Sequence, residues 1–326
     1  MIETALLDLA ICRIPGLKGN ERIELVRKFD SCGDFSPLSK GDIENVIGRP
    51  LQGRAWKAAD FFSLAEKDAA LSLKLGIQLV SWRDSAYPPL LREIFDPPVL
   101  LFYRGVLPDP EKPLAAVVGT RKPTPAAGAR AFNLGLELGE AGIPVVSGLA
   151  LGIDAMAHRG NLEGKAPTVA VLGSSPDMVY PSSNRDLARR ILEARGLILS
   201  EYPPHTPPYK GHFPARNRII SALARGTVIV EAPEKSGALI TARFALEQGR
   251  DLWVDRVGVN SRRGGGTARL AEDGAGVISS ARDILAEWKL PDETEQNDPG
   301  ETHEDTMPRG GSALASALAE ELDIKM

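Results

Sequence analysis

At 326 residues, with 43% hydrophobic and 25% charged side chains, the chain has an ordinary globular composition and room for two domains. No apolar run approaches the roughly 18 residues of a membrane span, and the first fifteen residues, with Glu3 and Asp8, lack the basic stretch and apolar run of a signal peptide. The net charge of −4 hides an asymmetry: residues 291–326 carry a net of −8, which leaves +4 on residues 1–290, so an anionic partner is not excluded.

Residues 1–72 read as a small helical domain. Ile14-Pro15-Gly16-Leu17-Lys18-Gly19 separates two amphipathic segments, the second over 21–29, in a SAM-like or helix-hairpin-helix-like pattern. A glycine-rich turn of that kind can hold a phosphate on backbone N–H groups. A single hairpin is a weak signal, and a packing role is the favoured reading. Cys12 and Cys32 are the only cysteines, which suits a reducing cytoplasm better than secretion.

Over 75–289 short apolar runs alternate with helical stretches. Strands are expected at 77–81, 99–104, 114–118, 143–147, 168–172, 196–200, 227–231, 251–255 and 276–279. Helices are expected near 126–141, 152–163, 183–194, 215–224, 236–248 and 281–289. Near-continuous apolar strands between helices imply a mostly parallel sheet covered on both faces, an α/β doubly wound domain. Residues 290–326 are acidic and poor in large apolar side chains, so they read as a disordered tail.

In such sheets ligands bind beyond the carboxyl ends of the strands. Five motifs fall there: Gly119-Thr120-Arg121, Ser147-Gly148-Leu149-Ala150-Leu151-Gly152-Ile153-Asp154, Gly173-Ser174-Ser175, Ser200-Glu201-Tyr202 and Pro233-Glu234-Lys235-Ser236-Gly237-Ala238. Glycine lets backbone approach a ligand, and helices starting near Asp154 and Ser236 should aim free N–H groups at this edge on either side of Arg121. A glycine at a strand–helix turn also serves geometry alone; five such turns with an arginine favour a ligand. A dinucleotide fingerprint is absent, because Gly119 is followed by Thr-Arg-Lys-Pro rather than by further glycines.

Downstream, a proline-broken loop runs into a helix and carries Lys210, Phe213, Arg216 and Arg218. Cations for phosphates and a ring for a base are what a single-strand nucleic-acid binder needs. Arg216 is expected to point over the sheet edge towards the crevice. The competing assignment has Arg216 and Arg218 capping carbonyls or pairing with Glu231 or Glu201, and Phe213 in the core. Asp154 and His158, one helical turn apart, lack a third metal ligand; Asp154 is read as a helix cap and His158 as a packed side chain. No catalytic residue, metal site or cofactor site emerges of comparable clarity.

Together these strings resemble the DNA-processing protein A family (DprA, also called Smf). The match is carried by Tyr87-Pro88-Pro89-Leu90-Leu91, Val118-Gly119-Thr120-Arg121, residues 147–158, Tyr180-Pro181, Ser200-Glu201-Tyr202-Pro203, Phe213-Pro214-Ala215-Arg216-Asn217-Arg218, and Val230-Glu231-Ala232 with Ser236-Gly237-Ala238. The resemblance implies an extended Rossmann-like core and a non-enzymatic role in the cytoplasm. That role is to bind and protect incoming single-stranded DNA and load the RecA recombinase during natural transformation, as a homodimer with no membrane attachment. It assigns the family's DNA-contacting arginine to Arg121, its lysine and base-contacting aromatic to Lys210 and Phe213, and its second binding loop to Gly148, Gly152 and Asp154. The wider DNA-binding set is Gly119, Thr120, Arg121, Ser147, Gly148, Gly152, Asp154, Lys210, Phe213, Arg216, Arg218, Ser236 and Gly237.

The chain departs from the family pattern at Arg256-Val257-Gly258 and at Gly266-Thr267-Ala268, which leaves the last strand–helix unit less well defined. The segment after residue 290 is too short for a winged helix. Two other readings stay open. A Rossmann-like nucleotide phosphoribohydrolase would carry a Gly pair where Glu234-Lys235-Ser236-Gly237 stands, and a nucleotide sensor would use the same phosphate-friendly edge.

Overall fold

The computed structural model describes residues 2–291; the tail expected over 290–326 lies, beyond Pro291, outside the described residues. The chain opens with α1 (Ile2–Arg13), α2 (Gly19–Lys28), α3 (Cys32–Phe35), α4 (Lys40–Ile47) and α5 (Phe62–Lys74). Ser31 and Ser39 start α3 and α4 by accepting the N–H groups of Asp34 and Asp42, as serine N-caps do. Leu7, Ile11, Ile14, Leu25, Phe35 and Ile43 form one apolar cluster that continues onto Val99, Leu100 and Phe102 at the sheet. The glycine turn between α1 and α2 is engaged within the protein: Arg49 donates to the Gly16 carbonyl at 2.8 Å and pairs with Glu21.

The α/β part follows as β1 (Gln78–Ser81), α6 (Pro89–Arg92), β2 (Leu100–Gly105), β3 (Ala115–Val118), α7 (Pro125–Glu140), β4 (Val145–Ser147), α8 (Ile153–Glu163), β5 (Val169–Val171), α9 (Arg185–Glu193) and β6 (Leu197–Ser200). It continues as α10 (His212–Leu223), β7 (Gly226–Ile229), α11 (Ala238–Glu247), β8 (Asp251–Asp255), α12 (Arg256–Val259), α13 (Gly265–Glu272), β9 (Gly276–Ile278) and α14 (Ala281–Trp288). Every expected strand and helix of this part forms, with ends displaced by no more than three residues. The short helices α6, α12 and α13 were not expected.

The strands make one nine-stranded sheet in the order β1-β2-β6-β5-β4-β3-β7-β8-β9. The pairs from β6 through to β9 are all parallel, and β2 is antiparallel to both its neighbours. This is the mostly parallel, Rossmann-like α/β architecture expected. Strand β3 is fully buried because helices cover both sides. Ala127, Ala131, Leu134 and Leu138 of α7 pack on one face, where Trp253 and Trp288 join them. Ile219, Ile220 and Leu223 of α10 pack on the other, together with Ala238 and Ala242 of α11. From β3 the chain winds through β4 and β5 to β6 in one direction, then returns to place β7 on the opposite flank. That reversal is the switch point where a crevice opens at the carboxyl edge.

Candidate nucleic-acid interface

A crevice of about 370 Å³ lies at this switch point, between the end of β3, the β4–α8 loop, α10 and the start of α11. Strand β3 stops at Gly119, where an added Cβ would sit 2.6 Å from Ile153, and the chain turns out to present Arg121. Arg121 is exposed, and its side chain makes no hydrogen bond among the described residues. Its guanidinium carbon lies 5.5 Å from the centroid of Phe213, a cation–ring contact. Phe213 is half-buried at the head of α10, resting against Gly173, with the exposed Tyr180 ring 5.6 Å away. Lys210 is exposed on the same crevice, with no carboxylate partner among the described residues.

Eight of the residues named from sequence line this crevice: Gly119, Arg121, Asp154, Lys210, Phe213, Arg216, Ser236 and Gly237. Gly148 lines an adjoining pocket with Arg121, Tyr180 and Phe213. Gly152 supports the floor from behind. Its φ of 78° is left-handed, and a Cβ there would lie 2.4 Å from the Thr120 carbonyl oxygen, so a side chain has no room. Thr120 is half-buried beside it: its carbonyl accepts the Ile153 N–H and its own N–H donates to the Glu231 carbonyl.

Four expectations change. Arg218 does not face the crevice. Its guanidinium forks onto both oxygens of Glu201 at 2.8 and 2.7 Å and donates to the Asp96 and Ala215 carbonyls. Burial works against that charge, but the Glu201 carboxylate outweighs it, so the guanidinium is held more basic than usual and Glu201 more acidic. Four of its five N–H donors are taken inside the protein and its charge is matched by Glu201, so Arg218 holds the fold rather than a phosphate.

Arg216 reaches the crevice from beneath rather than over the edge. It is only 4% exposed, and it donates to the Gly148 and Val171 carbonyls, stitching β5 to the β4–α8 loop. Burial pushes its pKa down to about 10, with the Asp154 carboxylate opposing the shift, so it stays charged at neutral pH. Ser147 is wholly buried, its hydroxyl donating to the Val117 carbonyl, and cannot meet a ligand.

The helix ends supply less positive backbone than expected. Asp154 is not the cap of α8, whose N-cap is Gly152. Its carboxylate turns back and accepts the N–H groups of Gly148 and Ala150 at 3.1 and 3.4 Å, the very donors that would have met an anion. Burial pushes the Asp154 carboxyl up, against the nearby Arg216 charge and those N–H bonds. At α11 the first N–H groups go to Ser236 and Gly237 in a closing turn. Positive charge at the crevice therefore comes from side chains, chiefly Arg121 and Lys210.

His158 is fully buried, as the packing reading has it. Thr168 gives its hydroxyl proton to the Val145 carbonyl, so it accepts at 2.7 Å from His158 Nδ1, which must carry the ring proton. Burial pushes the His158 pKa down to about 3. Asn217 in the crevice and Tyr180 in the adjoining pocket lie outside the DNA-binding set read from the sequence. Asn217 follows Arg216 on α10 and reaches towards the Gly237 carbonyl at 3.4 Å, and Tyr180 flanks Phe213.

Fold and site define a Rossmann-like α/β protein whose switch-point crevice sets free cations beside a half-buried aromatic ring. The chain belongs to the DNA recombination-mediator protein A family, whose pattern matches residues 78–289. It is 36% identical over 299 residues to DNA processing protein DprA of Bacillus subtilis, covering 90% of this chain and 98% of that one. It is 42% identical over 207 residues to the Streptococcus pneumoniae DprA, covering 64% and 73%. A solved structure of the S. pneumoniae protein superposes with a TM-score of 0.73 at 35% identity, covering 86% of this chain and 97% of that one. DNA processing protein A of Helicobacter pylori, whose structure is described for a single-stranded DNA binding mode, superposes with a TM-score of 0.56 at 32% identity, covering 65% and 96%. No helix among the described residues is long and apolar enough to cross a membrane.

Proposed function

We propose that this recombination-mediator family member binds single-stranded DNA along the carboxyl edge of β4, β3 and β7 without transforming it. Bound as a homodimer in the cytoplasm, it shields incoming DNA and loads RecA onto it during natural transformation or recombination. The observation that carries the reading is the free, exposed Arg121 guanidinium 5.5 Å over Phe213, with Lys210 on the same crevice. A phosphate draws Arg121 off the ring, and a base stacks on the face it vacates, beside Tyr180. Lys210 meets a neighbouring phosphate as a mobile point charge. Arg216 supports both from below by holding the Gly148 loop.

The single-stranded DNA binding mode of the H. pylori relative supports the single-strand part, and membership of a recombination-mediator family supports the RecA part. The test is fluorescence polarisation with a labelled oligo-dT at several salt concentrations, using Arg121→Glu and Lys210→Ala. Both variants should bind more weakly and with a shallower salt dependence; wild-type affinity in both would refute the proposal. RecA assembly on oligo-dT, followed by light scattering with and without the protein, tests the loading step, and sedimentation velocity tests the dimer.

A further inference from the structure

The amino edge of the sheet, opposite the crevice, carries a groove of about 530 Å³. Leu107, Leu114 and Leu197 floor it, and Pro144 and Pro167 wall it, at the points where β3, β4 and β5 begin. Three exposed cations stand on its rim: Lys112, Lys165 and Arg195. None of their side chains has a partner among the described residues. The one acid of the lining, Asp109, accepts the Glu111 N–H.

Two of these cations occupy backbone positions that disfavour a side chain. Helices α5, α7, α8, α9, α11 and α14 end in the same way, with a residue in the left-handed region and the next N–H reaching back across the last turn. The left-handed residues are Gly76 at φ 64°, Gly142 at φ 69°, Lys165 at φ 64°, Arg195 at φ 59°, Gly249 at φ 65° and Lys289 at φ 56°. Glycine is the natural occupant, and α5, α7 and α11 have it. Helices α8, α9 and α14 place long cations there instead, and two of the three, Lys165 and Arg195, stand on the groove. Neutralising the helix dipole does not demand this, since α9 already carries Arg190 in its last turn.

We infer that this groove docks an acidic peptide segment of a partner protein, with aliphatic side chains set between carboxylates. The aliphatic side chains fill the leucine and proline floor, and the carboxylates meet the three free cations. No aromatic ring lines the groove, so it offers bases no stacking face, unlike the crevice around Phe213. Because it lies on the opposite edge of the sheet, a docked partner leaves the crevice open.

The test uses the full chain and a short fluorescein-labelled peptide of alternating aspartate and leucine. Lys165→Gly combined with Arg195→Gly removes two cations while giving each turn its preferred residue, so the melting temperature should hold or rise. Peptide affinity should fall by roughly tenfold or more, with oligo-dT affinity unchanged. An aspartate–serine peptide should bind the wild type far more weakly than the leucine one. Absence of peptide binding by the wild type, or equal binding by the variant, overturns the proposal. So does a variant that loses oligonucleotide affinity instead, which would make the face a nucleic-acid surface. A variant altered only in self-association also overturns it, making the face a contact between copies.

Discussion

Replacing Arg121 and Phe213 separately by alanine tests the two halves of the crevice. Arg121 is exposed and, among the described residues, makes no hydrogen bond or ion pair beyond its contact with the Phe213 ring, so Arg121→Ala should cost the fold about 0.5–1 kcal/mol. In the proposed complex the same side chain would hold a phosphate through a charge-assisted hydrogen bond of roughly 1.5–3 kcal/mol, which corresponds to about 10- to 150-fold in affinity. Losing one phosphate contact lowers the slope of log K against log salt by about 0.7. A fourfold rise in salt therefore narrows the gap between wild type and Arg121→Ala by about 2.6-fold. Phe213→Ala removes stacking worth about 1–3 kcal/mol but no charge, so its affinity falls while its slope stays that of the wild type. Polarisation titrations of labelled oligo-dT over a salt series measure both quantities. An Arg121→Ala protein with the wild-type slope, or a Phe213→Ala protein with a reduced one, would show that the cation and the ring do not divide the work in this way.

Arg218→Met leaves the half-buried Glu201 carboxylate without its partner and should destabilise the fold by about 1–3 kcal/mol in urea unfolding, with the oligo-dT affinity of the folded protein unchanged. Gly152→Ala forces a Cβ into the Thr120 carbonyl at a left-handed φ, and should lose about 1–3 kcal/mol of stability together with DNA affinity. His158 is neutral when folded down to about pH 3 but protonates near 6.5 when unfolded, so the unfolded chain binds the extra proton between those values. Its contribution is complete above pH 6.5 and declines by about 1.4 kcal/mol per pH unit as acidity increases towards pH 3. Urea unfolding across this range should be less steep with pH in His158→Gln than in the wild type; parallel curves would refute the buried neutral ring.

The central strands are legible because they are short apolar runs closed by Gly or a charged residue, and burial on both faces leaves that signature in the chain itself. Helix α13 is not, since Gly264-Gly265-Gly266 reads locally as loop. The residue that ties it down, Thr267, does so through a 2.7 Å bond from the Ala232 N–H, 35 residues earlier. Tyr180 stands in a motif of the family match, but its place beside Phe213 shows only once the loop after β5 brings the two rings together. The arginines are more instructive. Arg121 and Lys210 sit outside regular structure, where position after a strand or before a helix already implies the edge.

Arg216 and Arg218 sit on α10, where periodicity carries the information. Arg216 is three, four and seven residues before Ile219, Ile220 and Leu223, so it lies on the buried stripe, and Arg218 precedes the buried Ala222 by four. An arginine on a buried stripe must find acceptors inside the protein. The sequence holds that much; it does not say which acceptors. Glu201 lies 17 residues from Arg218, the Gly148 carbonyl 68 from Arg216, and the Asp96 carbonyl 122 from Arg218. A helix face can therefore separate arginines that bind a ligand from arginines that hold the fold, whereas their internal partners emerge only once the sheet has assembled around them.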